Sequence, residues 1–275
     1  MPPMAKAIGQ TAWLQLRLLA HTWPARLVDL IMPSVLTFIP VILGRTMAGP
    51  AAGSRFDLHA HTGDVAGFLL LGGGCFVLVT RSLWGFSSWL QTELRGGTLE
   101  GLYLSQTPLP WLLLGVALAL MSYSGLVFIG AMLLGAWLFQ TLFQTHQLGL
   151  ALTFLGLGLP PLYGLALLYG ALVLRLKESD AFLQLIQWLA TLLMGVYIPL
   201  ALFPPALRLA GLLFPPTWLL NGLRGTLLDV PFLSGDWRLD LGILLLFSLV
   251  APWLGYWVFA RIEKSLRSGA GLGEY

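Results

Sequence analysis

Apolar residues in this chain fall into six long runs, at about residues 27–43, 65–84, 111–138, 148–174, 181–202 and 241–259. An α-helix rises about 1.5 Å per residue and a bilayer's hydrocarbon core is about 30 Å thick, so runs of this length cross it as helices. They do not alternate apolar and polar at every second residue, as β-barrel spans require. The pattern predicts an all-α integral membrane protein of six transmembrane helices, built as a single transmembrane domain over residues 1–275. No internal repeat aligns, and no linker is long enough to separate two domains.

The polar breaks between the runs predict the smaller elements. Residues 1–26 read as an amphipathic interfacial, or elbow, helix. Lys6, Gln10, Arg17 and His21 share one stripe, and Ala5, Ile8, Ala12, Leu16 and Leu19 the other. Trp13 and Trp23 suit headgroup depth, and Pro24 suits the bend into the first span. Residues 44–64 read as a loop rich in Gly, Pro and Asp.

In the second span Gly72-Gly73-Gly74 predicts close helix approach. Gly115, Ala119, Ser122 and Gly125 form a small-residue stripe along the third. Pro160-Pro161 predicts a kink in the fourth. After the fifth span, Pro199, Pro204-Pro205 and Pro215-Pro216 bound two apolar pieces, Ala206 to Phe214 and Trp218 to Leu228. Each is too short to span, and both are predicted to be re-entrant or interfacial helices.

The longest polar interruption between the second and third runs is Thr92 to Ser105, TELRGGTLEGLYLS. Gly96 and Gly97 break the helix continuing from the second span, and Thr98 is suited to cap a new one. Glu100 then falls in the first turn, where the helix dipole favours negative charge. Leu99, Leu102 and Tyr103 share one face, rimmed by Glu93, Arg95 and Glu100. A partner's groove receives a face of this kind.

Composition agrees with the pattern. The chain is 57% hydrophobic and 10% charged, with mean hydropathy +0.82, against roughly 25% charged in soluble domains. Its net charge is only +3 and no basic run interleaves with aromatics, which argues against nucleic acid as a partner.

The basic residues instead set topology. With six spans, Lys6, Arg17, Arg26, Arg81, Arg95, Arg175, Lys177, Arg261, Lys264 and Arg267 fall on the side of the termini. Arg45, Arg55, Arg208, Arg224 and Arg238 fall on the other. That bias puts both termini and Thr92–Ser105 in the cytoplasm of a cell membrane, with a prokaryotic inner or plasma membrane expected. Cys75, the single cysteine, allows no internal disulfide and reads as a small core residue. The N-terminus lacks the apolar core and cleavage site of a removed signal peptide, so insertion is expected to use the spans themselves.

Little catalytic chemistry is present. Asp29 is the only carboxylate in the spans as drawn, and they hold no Lys or His, which disfavours an ion-coupled carrier. No nucleophile with a base and no carboxylate pair can be assembled in the spans for an intramembrane hydrolase, and a lipid-modifying enzyme would need a catalytic pair drawn from both loops, such as His59 with an acidic residue. His59 and His61, with Asp57 and Asp64 nearby, would share a metal only if that segment were a strand. No metal is expected there.

Gln184, Gln187, Thr191 and Gly195 fall on one face of the fifth span. Polar groups in lipid are costly unless they meet protein or water, so this face is a candidate substrate path or subunit contact. No Walker A motif precedes Lys6, Lys177 or Lys264, so any ATP used must be bound by another chain.

The segment Glu93-x-Arg95-Gly96-Gly97-Thr98-Leu99-Glu100-x-Leu102, followed by Ser105-x-Thr107-Pro108, resembles the cytoplasmic loop of ABC-2-type exporter permeases. The likeness extends over nearly the whole chain: the interfacial helix, six spans, the polar turn Arg175 to Asp180 and the proline-interrupted segment before the last span. Within that segment, Pro216-Thr217-Trp218-Leu219-Leu220-x-Gly222-Leu223-Arg224 looks like the family's re-entrant region. Gln106-Thr107-Pro108 departs from the family, which commonly has proline directly after the serine.

The resemblance implies that Thr92–Ser105 is a coupling helix docking on a cytoplasmic ABC ATPase. It implies a second permease copy, in a homodimer or heterodimer, and no cofactor in this chain, ATP and Mg being bound by the ATPase. The expected activity is export of a lipid-like, amphipathic or drug-like substrate by alternating access, in a family that also exports glycans and peptides. A different class of reading is a polytopic scaffold or immunity-type protein with no ATPase partner.

Overall fold

The computed structural model describes residues 4–21, 23–48, 52–96, 109–175 and 180–268. Among these the chain is helical throughout, with no strand. In order the helices are α1 (Met4–His21), α2 (Trp23–Ala48), α3 (Ala52–Ala60), α4 (Val65–Arg95), α5 (Leu109–Phe139), α6 (Leu148–Arg175), α7 (Asp180–Leu193), α8 (Pro205–Leu212), α9 (Pro215–Leu228) and α10 (Trp237–Ser268). A 3-10 turn at Leu200–Leu202 lies between α7 and α8.

Five of these, α2, α4, α5, α6 and α10, are long and apolar enough to cross a membrane. Their outward faces carry apolar stripes at helical spacing. On α2 these are Leu27, Ile31, Val35, Phe38 and Ile42, and on α10 Leu246, Leu249, Trp253 and Trp257. Large apolar side chains facing outward on several helices at once suit contact with lipid. This is a membrane-protein architecture.

The fifth expected span, 181–202, differs. Its described helix, α7, has 14 residues, about 21 Å at 1.5 Å per residue and short of the roughly 30 Å core. It gives way to a turn in which Gly195 adopts φ +67°, a left-handed conformation that glycine takes without a Cβ clash. The expected loop over 44–64 is also largely helical. α2 runs on to Ala48, and α3 is held in place by Phe56 meeting Phe68 of α4 edge-on at 5.1 Å between ring centroids.

α4 is the hub, packing against α2, α5, α6 and α9. Its spanning segment is 72% buried, against 22% for α10 at the periphery. The three glycines explain how one helix meets so many neighbours. A Cβ on Gly72 would lie 2.4 Å from the Val196 carbonyl oxygen, one on Gly73 3.3 Å from that of Pro33 in α2, and one on Gly74 2.4 Å from Met132 Cε in α5. The expected close approach is present, on three sides at once.

α6 and α10 form the most extensive helix pair. They cross where Gly164 faces Ala251 and Gly255, so closely that a Cβ on Gly255 would lie 2.3 Å from the Gly164 carbonyl oxygen. Near this crossing, Pro161 has no N–H for the Leu157 carbonyl four residues back. Ser248 Oγ of α10 lies 2.5 Å from that carbonyl oxygen and 2.8 Å from the Leu244 carbonyl of its own helix, sharing one proton between them. In lipid a freed carbonyl needs such a donor.

The small-residue stripe of α5 divides its contacts. Gly115 receives Ile8 and Thr11 of α1, Ala119 is buried, Gly125 faces Leu159 of α6, and Ser122 is exposed. α1 thus lies along α5 with Ile8, Ala12 and Leu16 half-buried and Lys6, Gln10 and Arg17 exposed, the division its amphipathic pattern predicts.

The two short apolar pieces are α8 and α9. α9 opens with Pro215 and Pro216, is buried along nearly its whole length against α4, α6 and α10, and ends at Asp229 with φ 59°. The Trp218 indole N–H donates to the Leu212 carbonyl at 2.8 Å, tying α9 back to α8. At the start of α10, buried Asp240 accepts the N–H groups of Leu233 and Ser234, both at 2.9 Å. That fixes the loop joining α9 to α10.

Candidate functional site

The helix of the second run does not stop near Trp84 but continues to Arg95. No glycine or proline interrupts it between Gly85 and Gly96, and Thr92 Oγ1 donates to the Ser88 carbonyl at 2.8 Å within the continuing turns. It ends where the double glycine predicts: Gly96 closes the last turn through its N–H to the Thr92 carbonyl at 2.9 Å. Glu93 is half-buried on this last stretch. Gly97, Thr98, Leu99, Glu100, Leu102 and Tyr103, the core of the expected docking helix, lie outside the described residues, as does the side chain of Arg95.

Beside the second half of α4 is a cavity of about 880 Å³ among α1, α2, α4 and α5. Its apolar lining comes chiefly from Met32, Leu36, Phe76, Trp84, Trp89 and Leu120. Its polar lining includes Gln15, Thr80, Ser88, Thr92 and Glu93. Mixed walls of this kind and size suit an amphipathic molecule, since typical ligand clefts hold roughly 300–1,000 Å³.

At the inner wall Asp29 of α2 forms a salt bridge with Arg81 of α4. The Asp29 side chain is 1% exposed and that of Arg81 42%. The carboxylate is therefore sequestered by the packing while the guanidinium opens toward the cavity, and both residues line it. A buried charge is tolerated when paired in this way.

This pair was within reach of the sequence. The six apolar runs contain one carboxylate, Asp29, and one cation, Arg81. Asp29 is two residues from the start of its run and Arg81 three from the end of the next, which places them at one depth in an antiparallel pair of spans.

The polar face expected on the fifth span is only partly assembled. Gln184 is exposed, Gln187 half-buried and Thr191 buried, and Thr191 Oγ1 donates to the Gln187 carbonyl at 2.8 Å along the helix. Gly195 is not on that face, because α7 ends at Leu193 and Gly195 belongs to the left-handed turn beyond it. None of the four residues lines the large cavity. The outward side of α7 carries Leu185, Trp188, Leu189 and Leu192, all exposed.

His59 ends α3 and His61 follows it with φ 55°, so the segment is not the strand that would let both rings face one metal. Among the described residues no group of three or more His, Cys, Asp or Glu comes together to hold a metal ion. Cys75 is buried in the core of α4. Compared with known proteins, the chain matches no family model and no curated protein sequence.

Proposed function

We propose that this chain is the permease subunit of an ATP-driven ABC-2-type exporter, a six-span domain with cytoplasmic termini. It works as a dimer, homomeric or heteromeric, with two cytoplasmic ATPase subunits that bind ATP and Mg. The observation that carries this reading is the continuity of α4. One unbroken helix lines the 880 Å³ cavity and continues through Thr92 and Glu93 to Arg95, into the first residues of the docking stretch. A force applied to residues 96–105 by a closing ATPase would be delivered along a rigid element to the cavity wall.

The amphipathic walls of the cavity favour an amphipathic, lipid-like or drug-like substrate over a highly charged one. With Gln184 and Gln187 away from the cavity and the apolar side of α7 uncovered, α7 is better suited to the subunit contact than to the substrate path. The fifth span then comprises α7 and the turn beyond it, completed by its neighbours in the dimer.

The test is co-expression with candidate ATPase subunits and affinity purification. The wild-type chain is expected to retain a stoichiometric ATPase, and Leu102→Asp or Tyr103→Asp to lose it while the permease stays folded by circular dichroism. An ATPase retained equally by both variants, or none retained by the wild type, refutes the reading. The second outcome favours a membrane scaffold or immunity-type protein.

A further inference from the structure

At the other end of α4, remote from the large cavity, side chains of α3, α4, α8, α9 and the loop after α9 surround a second cavity of about 170 Å³. Arg208 of α8, Asn221 and Arg224 of α9, and His59 and His61 line it, and among the described residues no carboxylate does. Asp57, Asp64 and Asp229 lie near in sequence. Asp57 and Asp229 are exposed, and Asp64 accepts the Gly67 N–H at 2.8 Å.

Arg224 is the unusual member, being only 4% exposed. Its Nη1 donates to the Gly195 carbonyl at 2.9 Å, and its Nη2 to the Val196 carbonyl at 2.8 Å and the Phe68 carbonyl at 3.1 Å. Its guanidinium carbon sits 3.4 Å from the centroid of the Phe68 ring. These contacts fix the fork, but carbonyl dipoles and a ring face do not neutralise a unit charge. Among the described residues no carboxylate pairs with it.

Arg224 Nε and Asn221 Nδ2 are buried without a hydrogen-bond partner. An unpaired buried cation costs several kcal/mol, and unmet buried donors add to that. An anion in the cavity would offset both.

The donor set narrows the ligand. Guanidinium, amide and imidazole groups reach the cavity from α3, α8 and α9 rather than from one plane, which suits a tetrahedral oxyanion better than a flat carboxylate. The volume holds several waters at about 30 Å³ each and lies well below the roughly 300–1,000 Å³ of drug-sized ligand sites.

We infer that this cavity binds a phosphate-type oxyanion, free or as the head of an anionic lipid, on Arg208, Asn221 and Arg224, with the exposed His59 and His61 at its mouth. The site is separate from the transport cavity and does not depend on the exporter reading.

The test uses the full chain purified in detergent, titrated calorimetrically with inorganic phosphate at constant ionic strength. In parallel, native mass spectrometry compares retention of phosphatidylglycerol and phosphatidylcholine. Arg208→Gln is the main variant, because Arg208 is exposed and its loss leaves the packing intact; Arg224→Lys and His59→Gln/His61→Gln accompany it.

Saturable phosphate binding at one site per chain, weakened about tenfold or more by Arg208→Gln, supports a free-phosphate ligand. Selective retention of phosphatidylglycerol that Arg208→Gln abolishes, without phosphate binding, supports the lipid headgroup. Binding unchanged in Arg208→Gln, or neither phosphate binding nor lipid preference in the folded wild type, overturns the inference.

Discussion

Replacing Arg81 by methionine keeps most of the side-chain length of the residue and removes the cation of the salt bridge to Asp29. Asp29 is 1% exposed, so the variant leaves a carboxylate inside the packing of α2 against α4. Breaking a fully buried pair by deleting one partner costs about 3–5 kcal/mol. Solvent reaching the 42%-exposed Arg81 screens the native pair, which lowers the expected loss to about 2–3 kcal/mol. At roughly 2–4 °C per kcal/mol for a chain of this size, the midpoint of thermal unfolding in detergent falls by roughly 5–10 °C.

The decisive comparison is the double variant Asp29→Asn/Arg81→Met. With the stranded charge gone it should recover at least half of the loss, giving a coupling energy of about 1–2 kcal/mol. The chain's 11 tryptophans provide the fluorescence signal. Effects of the two single changes that add to within about 0.5 kcal/mol in the double variant would show that the pair makes no net contribution and refute the reasoning.

Other substitutions probe the packing. Gly72→Ala puts a methyl 2.4 Å from the Val196 oxygen and 2.9 Å from Arg224 Nη2, and should cost about 1–3 kcal/mol by the same unfolding assay. Gly156→Ala on α6 meets nothing within 4 Å and should be neutral or stabilise by up to about 1 kcal/mol, since alanine favours the helix. Ser248→Ala should cost about 0.6–1.5 kcal/mol by leaving the Leu157 carbonyl without its cross-helix donor, whereas Ser248→Thr should retain stability. For Leu102→Asp, loss of the ATPase in pull-down without a fall in the unfolding midpoint separates docking from folding.

The readable parts of the fold were those set by one-dimensional periodicity. Five long apolar helices, an amphipathic first helix and two short proline-bounded helices follow from where apolar residues run and where Gly and Pro interrupt them. The extension of α4 to Gly96 was also available, since no breaker stands between Gly85 and that position. α3 was not, because its helix depends on Phe56 reaching Phe68, a contact between segments that no local propensity reports.

The sequence by itself determined the membrane character of this protein and the end of α4 before Gly96, because hydropathy and helix-breaking act over a few neighbouring residues. Only the tertiary structure decided that three adjacent glycines serve three different neighbours. It also decided that Arg224 is buried on the carbonyls of Phe68, Gly195 and Val196. Each depends on which helices become neighbours and at what depth, and that is set by the packing of the whole bundle rather than by any stretch of it.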